Sequence, residues 1–221
     1  MIKFLLSTIF LCFLQQTTQA QKRTNWENYP NKGILQYSVL LENSETDSNY
    51  KYAKFKPANF LTVDDIELNS LKIRYNVKAD VMECKIGSQH SIINSPEKIK
   101  EININGEAYE YLQYQVKKVT TMGYLHKLSN ARGIYAKYFL SPTKSKSGSD
   151  KLSSYYLYQD QDKLIKKVKS IQQLISLCYK DFAKEALEFK RDNQLNLKRV
   201  SDFKKLLSYL DNLHNDRVAL R

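Results

Sequence analysis

Leu71-Lys72-Ile73-Arg74-Tyr75-Asn76-Val77-Lys78-Ala79-Asp80-Val81-Met82-Glu83-Cys84-Lys85-Ile86 is the stretch whose reading decides the fold. Its first half alternates strictly, with Leu71, Ile73, Tyr75 and Val77 on one face and Lys72, Arg74, Asn76 and Lys78 on the other. A period of two with one apolar face is a half-buried β-strand. After Ala79-Asp80 the phase moves by one, and Met82, Cys84 and Ile86 become the apolar set. A one-residue slip would turn every side chain to the other face, so the chain must turn or bulge near Asp80.

Outward from this pair the same grammar repeats. Ile99, Ile102 and Ile104 lead into Asn105-Gly106, a strong short hairpin signal, and Ala108 to Tyr114 returns from it. A further strand is expected within Val116 to Leu128. Asn130 to Gly133 reads as a turn, Ile134 to Leu140 as a strand, and Ser153 to Gln159 as the last strand. Upstream, Ile34 to Leu41 and Tyr50 to Phe60 are weaker strands, the second marked by Pro57 as an edge or an end. Residues 141–151, rich in Ser and Lys, read as a loop. Beyond residue 160 the period changes. Leu164, Val168, Ile171, Ile175 and Cys178 step by four, three, four and three, the stripe of an amphipathic helix. Phe182, Ala186 and Phe189 mark a second helix beginning near Asp181. Phe203, Leu206, Leu207, Leu210 and Leu213 mark a third, with Ser201 as its expected N-cap. The expected fold is α+β: an antiparallel β-meander sheet followed by two or three C-terminal helices.

The first residues carry the parts of a secretory signal in order: Lys3, an apolar run from Phe4 to Leu14, then Thr18-Gln19-Ala20 with small residues for a peptidase. That run of about eleven residues falls short of the roughly twenty that span a bilayer. Cys12 is preceded by Leu11, where a lipoprotein signal needs a small residue. Residues 1–20 are therefore expected to be a signal peptide cut after Ala20. Residues 21–221 then form a single domain, mainly β over 21–160 and helical over 161–221, located in the periplasm or at the cell surface. The chain carries a net charge of +12. Much of the excess is lysine in the C-terminal half, which favours contact with anionic surfaces. Cys84 and Cys178 remain after cleavage. Both lie on apolar stripes and could pair in an oxidising compartment, or stay as buried free thiols.

Arg74-Tyr75-Asn76, Asp80-Val81-Met82-Glu83, Asn105-Gly106 with Tyr109-Glu110-Tyr111 and Tyr114, Gly123-Tyr124-Leu125, Gly133-Ile134-Tyr135-Ala136-Lys137 and the lysine-rich tail give the chain from Leu71 onward a family likeness. It resembles a group of uncharacterised exported proteins of Bacteroidetes. The resemblance implies an envelope location and a β-then-α layout. It brings no activity and no site residues.

Candidate chemistry is sparse. Cys84 with His90 or His126 could pair a nucleophile with its base, yet Cys84 sits on the apolar phase of its strand, where a thiol is inert. Asp64, Asp65 and Glu67, and separately Asp160 and Asp162, could serve as acids and bases or hold a cation, but no EF-hand loop is present. The chain has no glycine-rich phosphate loop, GxSxG elbow or HExxH, and no cofactor motif. Sixteen tyrosines among many lysines point instead to a ligand surface of stacked rings and cations. Tyr109, Tyr111, Tyr155, Tyr156, Tyr158, Lys166, Lys167 and Lys169 are its candidates. The expected function is an exported binding or structural module without catalysis. Its expected partner is an anionic envelope component such as a glycan, a lipid headgroup or an acidic protein. A secreted hydrolase with a scattered active site, or a basic nucleic-acid-binding effector, is the alternative.

Overall fold

A computed structural model describes residues 24–25, 35–37, 49–86, 89–129, 132–142 and 150–219. The predicted signal segment, its cleavage position and most of the 141–151 loop lie outside the described residues. The fold is α+β. Twelve strands share one sheet: β1 Thr24–Asn25, β2 Leu35–Tyr37, β3 Lys56–Thr62, β4 Glu67–Asn76, β5 Val81–Ile86, β6 Gln89–Ile93, β7 Ile99–Ile104, β8 Glu107–Val116, β9 Val119–Ser129, β10 Ile134–Ser141, β11 Lys151–Gln159 and β12 Ile165–Lys167. Helices α1 Ile171–Cys178, α2 Ala183–Asp192 and α3 Val200–Ala219 follow.

The deciding stretch folds as its phase change requires. β4 and β5 pair antiparallel with Ile73 opposite Cys84 and Tyr75 opposite Met82. Asp80 takes a φ of 55° in the turn between them, a left-handed conformation that aspartate tolerates better than most residues. Asn105 and Gly106, at φ 51° and 83°, make the β7–β8 turn, since a tight hairpin of this kind needs positive φ at both central residues.

The sheet consists of two meanders, β3 to β6 and β7 to β12, joined where β7 lies beside β3. The second meander curls until β12 meets β8 in parallel, with Lys166 opposite Gln115, so β8 to β12 close on themselves. Inside that curl lie Tyr114, Leu125, Tyr135, Leu157 and Ile165. On the other face two clusters sit side by side. One gathers Phe60, Leu71, Ile73, Tyr75, Met82, Cys84, Tyr109 and Tyr138. The other packs Leu128, Ile134, Ala136 and Tyr156 against Leu174, Cys178, Phe182, Phe203, Leu206, Leu207 and Leu210 of the helical region. None of the described helices is long and apolar enough to cross a membrane.

Several local expectations are corrected. Ser153 to Gln159 is not the last strand, because Ile165–Lys167 forms β12. Leu164 and Val168, placed on the first helix by their spacing, precede it: Ser170 caps α1 by accepting from the Gln173 amide at 3.1 Å. The third helix begins at Val200, so Ser201 is within it instead of capping it. The polar segment around His90 is a strand, β6, held between β5 and β2. Cys84 and Cys178 are free, and they lie in separate clusters.

Candidate functional site

Three polar centres stand out in the described residues, and two are structural. At the first, Arg74 and Glu83 face each other across β4 and β5. The Glu83 carboxylate is 1 % exposed and accepts from Arg74 Nε at 2.6 Å, Asn76 Nδ2 at 3.0 Å and Tyr50 Oη at 3.1 Å. The guanidinium covers the Tyr50 and Phe55 rings at 3.8 and 4.6 Å. A buried carboxylate with this many donors is satisfied, and it fastens the 49–55 segment to the sheet.

Lys137 forms the second centre. β9 and β10 pair only as far as His126 and Ala136, and no β9–β10 pair extends beyond that point. Lys137 Nζ fills the split, donating to Tyr124 O at 3.2 Å, Tyr75 Oη at 3.1 Å and Asp80 Oδ1 at 2.6 Å. Burial pulls the Lys137 ammonium below the ordinary lysine range, and Asp80 opposes that shift. Gly123 makes room for the pair: a Cβ there would stand 2.4 Å from Asp80 Oδ2 and 2.8 Å from Lys137 Nζ.

The third centre is a cleft of about 710 Å³ bordered by β11, the end of β12 and the starts of α1 and α3. β11 supplies one wall through Lys151, Leu152, Ser153, Ser154, Tyr155 and Tyr156. The end of β12 and the start of α1 add Lys167, Val168, Lys169, Ser170 and Ile171. The start of α3 adds Lys198, Val200 and Ser201, and Lys51, Glu107 and Tyr138 complete the lining. Lys51, Lys151, Lys167, Lys169 and Lys198 therefore share the lining with Glu107, the one carboxylate among its described lining residues. Lys167 lies over the Tyr155 ring at 4.4 Å, and Lys51 over the Tyr138 ring at 4.7 Å.

Behind the Glu107 end the side chains are tightly ordered. Tyr52 and Tyr109 both donate to Glu107 Oε2, Tyr109 at 2.9 Å, and the two hydroxyls are 2.8 Å apart. Lys51 Nζ lies 3.9 Å from the same oxygen. Burial alone would raise the Glu107 pKa, but the Tyr52 hydrogen bond, nearby His126 and Lys51, and the Tyr109 hydrogen bond together hold it below the usual carboxylate range. His126, 1 % exposed, stacks between Tyr109 and Tyr138 and shares a 2.9 Å hydrogen bond between its Nδ1 and Tyr138 Oη. Burial pushes the imidazole down to about 4, so it is neutral at physiological pH.

The eight residues expected on the ligand surface divide. Tyr155, Tyr156, Lys167 and Lys169 line the cleft together. Tyr156 is 8 % exposed and donates to Leu197 O at 3.0 Å, so its ring is largely structural. Tyr109 is fully buried, because its face of β8 turns inward, and Tyr111 and Tyr158 pack at the edges of the core clusters. Lys166 points away from Lys167, as alternation along β12 demands, and pairs with Asp160 at 2.8 Å.

The pairing of Cys84 with His90 or His126 is not assembled. The Cys84 thiol is fully buried and pushed up to about 12 by burial, His90 meets the Phe55 ring, and His126 bonds Tyr138. Among the described residues no group of three or more His, Cys, Asp or Glu side chains could hold a metal ion. Asp65 pairs with Lys100 and Asp160 with Lys166 at the surface. Lys51, Lys151, Lys198 and Glu107 were missed in the sequence because they lie up to 147 positions apart (198 − 51) and meet only through the sheet. Comparison with protein families, with curated proteins and with solved structures finds no match to this chain.

Proposed function

We propose that the protein is an exported binding module of the cell envelope that acts without catalysis and captures an anionic ligand in the lysine-walled cleft. The observation that carries this reading is the gathering of five lysines from four separate segments around one cleft of about 710 Å³. That volume is in the range of small-molecule sites, roughly 300–1,000 Å³. Surface lysines with no task repel one another and spread out. Holding five around one concavity has an electrostatic cost, which an anion offsets. The first turn of α3 adds the positive end of a twenty-residue helix. The secretory character of residues 1–20 and the resemblance to exported Bacteroidetes proteins support the envelope location.

The alternation of β12 supplies the test. Inorganic pyrophosphate titrated into the protein, followed by calorimetry at rising sodium chloride, should bind with an affinity that falls as screening shortens the reach of the exposed lysines. Reversing Lys167 and Lys169 to glutamate should weaken binding by at least about tenfold, equivalent to roughly 1.4 kcal/mol. Lys166→Glu changes net charge equally per residue but lies off the cleft, so it should leave affinity near the starting value. Equal losses for Lys166→Glu and for the single variants Lys167→Glu and Lys169→Glu would mean that overall charge, not the cleft, attracts the anion.

A further inference from the structure

The cleft is not uniformly basic, and its one carboxylate narrows the ligand. Glu107 is 31 % exposed and faces the same space as the lysines. Its Oε2 is occupied by Tyr52, Tyr109 and Lys51, while among the described residues no hydrogen bond reaches its Oε1. Two tyrosine hydroxyls thus fix the carboxylate and leave its second oxygen to accept. Ser154, opposite Tyr138 on the adjoining strand, and Ser170 and Ser201 at the two helix starts line the cleft with hydroxyl groups, which donate and accept.

Resting on the anion-binding reading above, we infer that the cleft takes an acidic sugar, its charged group against Lys167 and Lys169 and its ring hydroxyls against Glu107 and Ser154 of β11. The argument is one of unmet polar groups. An anion with a hydrocarbon body would displace water from the Glu107 carboxylate and the serine hydroxyls and return no hydrogen bond, and burying an ionised group unpaired is costly. A polyol body donates to the carboxylate oxygen that lacks a partner and satisfies the serines. Leu152, Val168, Ile171 and Val200 provide apolar patches suited to the C–H faces of a sugar ring. The lysines alone attract any anion; Glu107 discriminates among them.

Two phosphate esters separate the two claims. Glucose 6-phosphate and hexyl phosphate carry the same charged group, and only the first bears hydroxyls. Calorimetry on the full chain should show glucose 6-phosphate binding about tenfold tighter, because a site built for hydroxyls rejects a body that lacks them. Glu107→Gln should bring the ratio close to unity by weakening the sugar ester and, with the unpaired charge removed, strengthening hexyl phosphate. Retained hexyl phosphate binding also reports that the variant is folded, and Ser154→Ala should lower the ratio in the same direction. Hexyl phosphate binding as tightly as the sugar ester, or a ratio that survives Glu107→Gln, would overturn the acidic-sugar assignment while leaving the anion site intact. Failure of both esters to bind would overturn both.

Discussion

Gly123 shows how one absent side chain holds a buried charge in place. Its position on β9 faces the split between β9 and β10, where Lys137 crosses to Asp80. Gly123→Ala would place a methyl group 2.4 Å from Asp80 Oδ2 and 2.8 Å from Lys137 Nζ. Both atoms end flexible side chains, so the methyl group is accommodated by displacing the Asp80–Lys137 pair, and overpacking should cost about 1 kcal/mol, the low end for such insertions. A urea titration measures this, and a change under about half a kilocalorie would show that Lys137 is free to relocate. His126 makes a prediction of the opposite kind, in which a group is kept uncharged. Burial holds the imidazole near 4, below its ordinary 6.5, with Glu107 pulling upward and Lys204 and Lys51 pushing down. Above pH 6.5 the folded and unfolded chains are both neutral at this site. Between 6.5 and about 4 the unfolded chain takes up a proton that the folded chain refuses, so stability falls as pH falls, by up to roughly 3 kcal/mol. His126→Asn can keep a hydrogen bond to Tyr138 but cannot titrate. The stability difference between wild type and variant should therefore shift steadily against the wild type from pH 7 to pH 4.5. Parallel curves would mean that the imidazole takes up its proton in the fold as readily as in the unfolded chain.

Individual elements were legible in the sequence wherever one physical signal dominated. The β4–β5 pair announced itself through its change of phase, and the β7–β8 hairpin through Asn105-Gly106, because only residues tolerant of positive φ suit that turn. α3 was legible because Phe203, Leu206, Leu207 and Leu210 keep helical spacing and are all buried. The beginning of α1 was not. Leu164 and Val168 continue the helical spacing by coincidence, since Ile165 enters the curl while Val168 packs beneath the helices. β12 is three residues long, too short for alternation to emerge against a helical pattern. The tyrosines misled for a related reason. Tyr109 and Tyr111 share one face of β8, but no local pattern says whether an aromatic face looks into the core or outward, because tyrosine suits both. The cleft depends on that same long-range information: Lys167 and Lys169 drew attention through a local run of charge, whereas Lys51, Glu107 and Lys198 reach the site only after the sheet has curled.

At the scale of the whole molecule, the question is whether the two clusters on the helix-bearing face form one cooperative unit. β10 crosses both: Ile134 and Ala136 belong to the cluster beneath the helices, and Tyr138 to its neighbour. Val200, at the start of α3, packs against both as well. To unfold the helical region alone, the chain would have to strip the cover from Leu128, Ile134 and Tyr156 while β10 stayed paired on either side, exposing apolar surface with no compensating chain freedom in the sheet. A single transition is therefore expected. The two free cysteines report on it from opposite sides, Cys84 from the sheet cluster and Cys178 from the helix cluster. Both thiols are buried, and burial raises them to about 12 and about 11, so neither should react in the native protein. Labelling at increasing urea without reductant should modify both at one midpoint, which also requires that they are not bridged to each other. Leu207→Ala, which opens a cavity under α3, should lower both midpoints together by an amount equivalent to about 2–5 kcal/mol. Labelling of Cys178 at lower urea than Cys84, or a Leu207→Ala effect confined to Cys178, would mean that the helices detach from the sheet as a separate unit. The cleft walls would then part before the sheet unfolds, because Lys169 and Lys198 sit on the helical side while Lys51, Lys151 and Glu107 sit on the strand side. In that case ligand affinity would be lost at the urea concentration that exposes Cys178, well before Cys84 reacts; in a cooperative molecule, binding and both thiols give way at the same point.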